Sequence, residues 1–256
     1  MEELIPLPNK TDFQKGANPN ESIITIEPCY PGYGITLGNA LRRVLLSSMP
    51  GAAIVSASIK NATHEFSTLP GVKEDIVELM LNLKTIRVKL YSDEPVKIEL
   101  HEKGEKVVTA KDIKLTSDVE ISNPNQVIAT LTEKDATLDM VLIAKKGRGY
   151  VPSELQIADN KEIGTITLDA IFSPVRNVNF TTEHVRVGEM TNYDKLILTI
   201  STDGTVTPEK AFMTASRILV NHFTAFVGQQ EEASVVEDKP KKKTTSKKKE
   251  VIGDKK

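Results

Sequence analysis

Between positions 31 and 51 the chain reads PGYGITLGNALRRVLLSSMPG, and its apolar residues recur with the spacing of a helix. At about 100° per residue, Leu37, Ala40, Leu41, Val44, Leu45 and Ser48 share one face, and Asn39, Arg42, Arg43 and Leu46 share the opposite one. The pattern predicts a helix over 37–49, with Thr36 as N-cap, Gly32 and Gly34 giving a turn or a close backbone approach before it, and Pro50-Gly51 ending it. Arginine flanking an outward leucine is the composition of a protein-interface anchor, although a stray leucine between ordinary surface arginines makes the same pattern.

The flanking chain divides by period. Residues 1–20 have no repeat and read as a loose arm, whereas 22–27 (SIITIE) and 53–60 (AIVSASIK) read as strands, with 64–67 a further short one. A second helix is expected over 72–84, where Val72, Ile76, Leu79, Met80 and Leu83 line one face and Glu74, Asp75, Glu78 and Asn82 form a solvated outer one. From 85 to 180 the pattern is almost wholly strands, broken at Ser92-Asp93-Glu94-Pro95, Asn123-Pro124-Asn125 and Gly147-Arg148-Gly149. A hairpin is expected around Thr202-Asp203-Gly204, pairing 195–201 with 204–207, before a last helix over 208–227 that opens with Thr207 as N-cap and Pro208 in its first turn. Ala211, Ala215, Ile218, Leu219, His222 and Phe226, edged by Phe212 and Phe223, give that helix an apolar face wide enough for its own sheet and a second copy of the chain. The residues from 229 on are lysine-rich and too polar to fold. The pattern thus gives a β-rich segment inserted between two ends that each carry an amphipathic helix.

Composition narrows the function. The 256 residues suffice for two modest cores, and a mean hydropathy of −0.23 fits a soluble, cytoplasmic protein. No apolar run reaches the ~18 residues of a membrane span, and MEELIPLPNK lacks the order of a signal peptide. Cys29 is the single cysteine, which leaves no internal disulfide or thiolate cluster. The net charge of −2 conceals an asymmetry: residues 229–256 hold nine lysines against six acidic residues, leaving 24 basic against 29 acidic in the rest. A body of that sign is not built to grip phosphates, so nucleic acid is expected through partners, or weakly through the tail, which otherwise only solubilises.

Chemical apparatus is sparse. His64, His101, His184 and His222 fall without metal-binding spacing, and Gly32, Gly34 and Gly38 fit neither a phosphate loop nor a dinucleotide fingerprint. No nucleophile elbow or carboxylate cluster for two-metal chemistry is present in the sequence. No catalytic residue, metal, cofactor or small-molecule substrate is therefore expected, and binding is favoured over reaction. A free-standing enzyme holding a nucleotide on the glycine turn, and a dimeric regulator touching nucleic acid through its tail, are the alternatives.

Five stretches carry a resemblance: GYGITLGNALRRVLLSSMPG, HEFSTLPGVKEDIVELMLNLK, KKGRGYVP, LDAIFSPV and LVNHFTAFV, in that order across roughly residues 20–228. Together they resemble the alpha subunits of bacterial DNA-dependent RNA polymerases. The resemblance implies a homodimer that seeds assembly of the large β and β′ subunits, within a nucleotidyltransferase that also takes omega and sigma, the alpha chain itself being non-catalytic. It implies an α+β fold, with a discontinuous dimerisation domain of residues 1–51 and 173–228, a mostly β insert at 52–172 and a disordered basic tail at 229–256. On the same ground β binding falls to Arg43, with Arg42, Leu46 and Asn39 beside it. Other large-subunit contacts fall to residues 64–72, Glu78, Lys84 and the Gly147-Arg148-Gly149-Tyr150 stretch, which could equally be an ordinary charged hairpin tip. Dimerisation falls to Leu37, Leu41, Leu45, Ala215, Ile218, Leu219, His222 and Phe226. Members of that family usually continue into a small helical DNA-binding domain, whereas this sequence runs out in lysines with no apolar period.

Overall fold

The computed structural model describes residues 5–62, 64–156 and 164–237, with side chains described as far as 227. In chain order the elements are β1 (Lys10–Lys15), β2 (Glu21–Cys29), α1 (Tyr33–Ser47), β3 (Pro50–Ile59), α2 (Ile76–Lys84), β4 (Val88–Leu90), β5 (Val96–Lys103) and β6 (Lys106–Thr109). There follow β7 (Val119–Ile121), β8 (Val127–Leu131), β9 (Thr137–Arg148), β10 (Tyr150–Val151), β11 (Thr165–Thr167), β12 (Ala170–Ile171), β13 (Val175–Val187), β14 (Met190–Thr202) and α3 (Pro208–Glu237). The architecture is α+β and mostly sheet. The chain forms two compact units, one as far as Leu219 and one from Val220 on.

In the first unit, chain segments far apart in sequence share one antiparallel sheet in the order β1-β2-β14-β13. Strand β14 alternates strictly, burying Asp194, Leu196, Leu198, Ile200 and Thr202 on one face. Three of those five, Leu196, Leu198 and Ile200, build a core with Ile24, Ile26, Val178, Leu41 and Leu45 of α1, and Ala211 and Ala215 of α3, which closes because helix and sheet each have one apolar face to cover. A second sheet, β11-β3-β9-β5, carries a separate core of Ile54, Ile98, Leu138 and Met140, covered by Ile76, Leu79 and Leu83 of α2. Short ribbons β4-β7, β6-β8 and β10-β12 complete it.

Several expectations need correction. The arm is not loose throughout: Lys10–Lys15 pairs with β2 as an edge strand and sets Phe13 edge-on to Phe212 at 6.0 Å, an order carried by backbone bonds that leaves no apolar alternation to read. Residues 64–67 turn instead of extending, with the Ser67 N–H and Oγ both donating to the His64 carbonyl. Helix α2 starts four residues later than the period predicts, because Val72 bridges Leu131 and Asp75 takes the N-cap, accepting from the Glu78 N–H at 2.7 Å. Gly147 and Arg148 remain in β9, opposite Gly51 and Pro50, so only Gly149 turns the chain and the stretch is no hairpin tip.

The long hairpin was also misplaced. Its strands are β13 and β14, and its turn is Gly188-Glu189, where Gly188 has φ 62°. Residues 203–207 lead into α3 through a side-chain turn, in which Asp203 Oδ1 accepts from the Thr205 N–H and hydroxyl. Thr207 does cap α3, accepting from the Lys210 N–H at 3.4 Å. Within the second unit α3 continues to Glu237, past the point where composition predicts order to end, and the rings of Phe223 and Phe226 meet edge to face at 6.4 Å. The remaining lysine-rich tail, 238–256, lies outside the described residues.

Candidate assembly surface

Helix α1 is seated by glycine and by one distant acid. Its N-cap is Gly32 at φ 83°, which offers no side chain, and its first turn has no acidic residue. The missing acceptor comes from β14: Asp194 Oδ2 accepts from the Gly32 N–H at 2.9 Å and the Gly34 N–H at 3.1 Å. Thr36, expected as the cap, lies inside the helix, and its hydroxyl reaches back to the Gly32 carbonyl at 3.4 Å. A Cβ at Gly38 would come within 2.5 Å of the Phe180 ring, so glycine lets α1 lie directly on β13. The sequence held one signal for Asp194, an acid on the alternating line of Leu196, Leu198 and Ile200, and it was missed. The turn's amides, which the nucleotide alternative would need for phosphate, are taken by this carboxylate.

The opposite face is open. Asn39, Arg42 and Arg43 are exposed, and Leu46 is 39% exposed. Among the described residues neither guanidinium has a hydrogen-bond or ion-pair partner. Two adjacent cations without carboxylates, beside an exposed leucine, form a face that offers bidentate donors and apolar area together. Past the C-terminal end of α1 come Arg148, paired in register with Pro50, and Tyr150, which is exposed opposite Ile171 on β12. This junction is tight. A Cβ on Gly51 would meet the Phe172 carbonyl oxygen at 1.8 Å, and one on the facing Gly147 would meet the Phe172 ring at 2.6 Å. Ser173 Oγ donates to the Leu46 carbonyl at 3.4 Å, tying the connection between β12 and β13 to the end of the helix.

A family model described as the RNA polymerase Rpb3/RpoA insert domain matches residues 57–173. The DNA-directed RNA polymerase subunit alpha of Symbiobacterium thermophilum is 50% identical over 212 residues, covering 83% of this chain and 67% of that protein. The chain belongs to the alpha-subunit family of DNA-directed RNA polymerases. The subunit of Moorella thermoacetica is 50% identical over 209 residues, 82% of this chain and 66% of its own, and that of a Roseiflexus species 52% over 197, or 77% and 60%. The chain thus spans about two thirds of the length of these alpha subunits.

The remaining residues singled out on the family resemblance sit in mixed settings. Glu78 is exposed on α2, but Lys84 is half-buried and held by Asp169 at 2.7 Å. That lysine, together with the Ser153 N–H at 2.9 Å, draws the Asp169 carboxyl down to about 2. The outer face of α2 is not the solvated one expected. Glu74, just before the helix, is buried and accepts from the Thr130 N–H and hydroxyl, Asn82 donates to the Ile128 carbonyl, and the exposed positions of the helix include Val77 and Leu81. Their i, i+4 spacing opposite the core stripe was the signal available.

Three of the family-implied dimer residues need correction. Leu41, Leu45 and Ala215 are buried in the chain's own core, Leu45 and Ala215 at 0% exposure, and have no surface left for a second copy. Leu37, Ile218 and Leu219 are half-buried, while His222 and Phe226 are exposed in the second unit. Helical period shows which face is covered but not what covers it. Among the described residues no helix is long and apolar enough to cross a membrane.

Proposed function

We propose that the chain is a non-catalytic assembly scaffold of RNA polymerase, a homodimer that recruits the β and β′ subunits in the cytoplasm, where they, with omega and sigma, carry out templated nucleotidyl transfer on DNA. The observation that carries this reading is the outward face of α1, where Arg42 and Arg43 stand unpaired about Leu46 in a member of the alpha-subunit family. Asn39 flanks that β-binding face. Arg148 and Tyr150 beyond the helix end, and Glu78 with Lys84 on α2, are the further large-subunit contacts. Dimerisation uses Leu37, Ile218, Leu219, His222 and Phe226; Val220, Phe223 and Val227 are also exposed in the second unit and extend its apolar area. Residues 1–51 with 173–228 form the dimerisation domain and 52–172 the insert, a division supported by the two separate cores. DNA is met through the assembled complex, and weakly through the lysines beyond 229.

Co-expression of the full chain with β and β′ from its own genome tests the reading. A native mass of two copies with one β and one β′ is expected; a monomer purifying alone, or a chain that binds nucleotide by itself, would overturn it.

A further inference from the structure

Asp194 is 5% exposed, yet it stands on the core face of β14 in line with Leu196 and Leu198. A carboxylate there is costly unless donors meet it. Two α1 amides do so, and the helix, which has neither its own capping side chain nor an acid in its first turn, gains the negative group its N-terminus favours. The register supports a built arrangement. Asp194 faces Cys29 while Leu196 faces Ile26, so β2 carries an extra residue at the point where the acid meets the helix. Gly34 lies so close that a Cβ would be 2.9 Å from both Asp194 Cβ and Thr182 Cγ2. Exit from β2, entry to α1 and the start of β14 are thereby locked at one point.

We infer that Asp194 is a positioning residue for large-subunit docking: from β14 it fixes the pose of α1 and, through the rigid helix, the direction in which Arg42, Arg43 and Leu46 are presented. This rests on the assembly reading above. Arg43 lies about 15 Å along the helix from Tyr33, at 1.5 Å per residue, so a tilt at the first turn displaces the guanidinium without touching it. Loosening the cap lowers the fraction of docking-competent helix and weakens apparent affinity in proportion.

The test uses the full chain carrying Asp194→Ala, Asp194→Asn, Asp112→Ala or Arg43→Ala, titrated with purified β, together with hydrogen exchange at the Gly32 and Gly34 amides. Asp194→Ala is expected to bind β about tenfold more weakly, with faster exchange at those two amides. Asp194→Asn, whose carbonyl oxygen accepts from the same two N–H groups, is expected to stay within about twofold of wild type. Asp112 bonds the Thr109 N–H and hydroxyl beside Ala110 of the core that α2 covers, not the one under α1, so Asp112→Ala removes a comparable local acceptor and is expected to leave β binding unchanged. Wild-type affinity in Asp194→Ala, with Arg43→Ala impaired, overturns the inference, as does an Asn variant as weak as the Ala variant. Wild-type affinity in Arg43→Ala instead removes the docking face itself. Should Asp194→Ala prove insoluble, Gly34→Ala tests the same seat sterically, and undiminished β binding there also overturns the inference.

Discussion

Helices α1 and α2 both lay one apolar stripe on a sheet, but they are anchored and used differently. α2 carries its own cap: Asp75 accepts from the Glu78 N–H, and Lys84 at its end is paired with Asp169 from the segment between β11 and β12. α1 has no cap of its own, borrows Asp194 from 160 residues away in sequence, and leaves both of its arginines unpaired. A helix whose cap and terminal charge are both matched within the chain is stabilised where it lies, whereas two guanidinium groups left unmatched keep directional donors available on the proposed docking face.

The contrast can be broken first at the buried stripes. Leu45 and Leu79 are both fully buried, so Leu45→Ala and Leu79→Ala are each expected to lower unfolding free energy by about 3 kcal/mol in urea titrations. A loss below about 1 kcal/mol for Leu45→Ala would mean α1 is not seated as described. The caps come next. Asp75→Ala is expected to cost about 1 kcal/mol by thermal denaturation, while Thr36→Ala, which removes no cap, falls well short of that. The pairing at the end of α2 gives a smaller, pH-dependent effect. The folded-state pKa of Asp169 is about 2, below its unfolded value of ~3.9, so its contribution is present above about pH 4 and is lost as pH falls toward 2. Asp169→Asn should flatten that part of a urea-midpoint profile, by less than about 1 kcal/mol for a half-buried pair that solvent still screens. Smallest of all, Arg42→Ala and Arg43→Ala should leave stability within about 0.5 kcal/mol of wild type, since neither side chain holds anything in its own chain.

What was legible in the sequence follows the same division. The polar face of α1 could be read from period alone, because Asn39, Arg42, Arg43 and Leu46 are set by helical geometry whatever the helix packs on. Its start could not, since the cap arrives from β14 and only a long-range contact replaces Thr36. α2 was drawn too long for the converse reason: Val72 continues the period but is captured by a bridge to Leu131, and Glu74, apparently a surface acid, is buried on Thr130. The β13–β14 hairpin was hidden because its outer half, TTEHVRVGEMTNYD, is polar and is ordered by backbone pairing. Leu41, Leu45 and Ala215 were assigned to a second copy because a buried stripe looks the same whether its cover is the same chain or another.

The central claim is that the unpaired face of α1 docks a large subunit. The most direct measurement is the dissociation constant of purified β for the wild-type chain and for Arg43→Ala at matched salt. The account predicts weakening of about thirtyfold or more, as for an interface anchor of about 2 kcal/mol, with an unchanged melting temperature. Equal dissociation constants would contradict it.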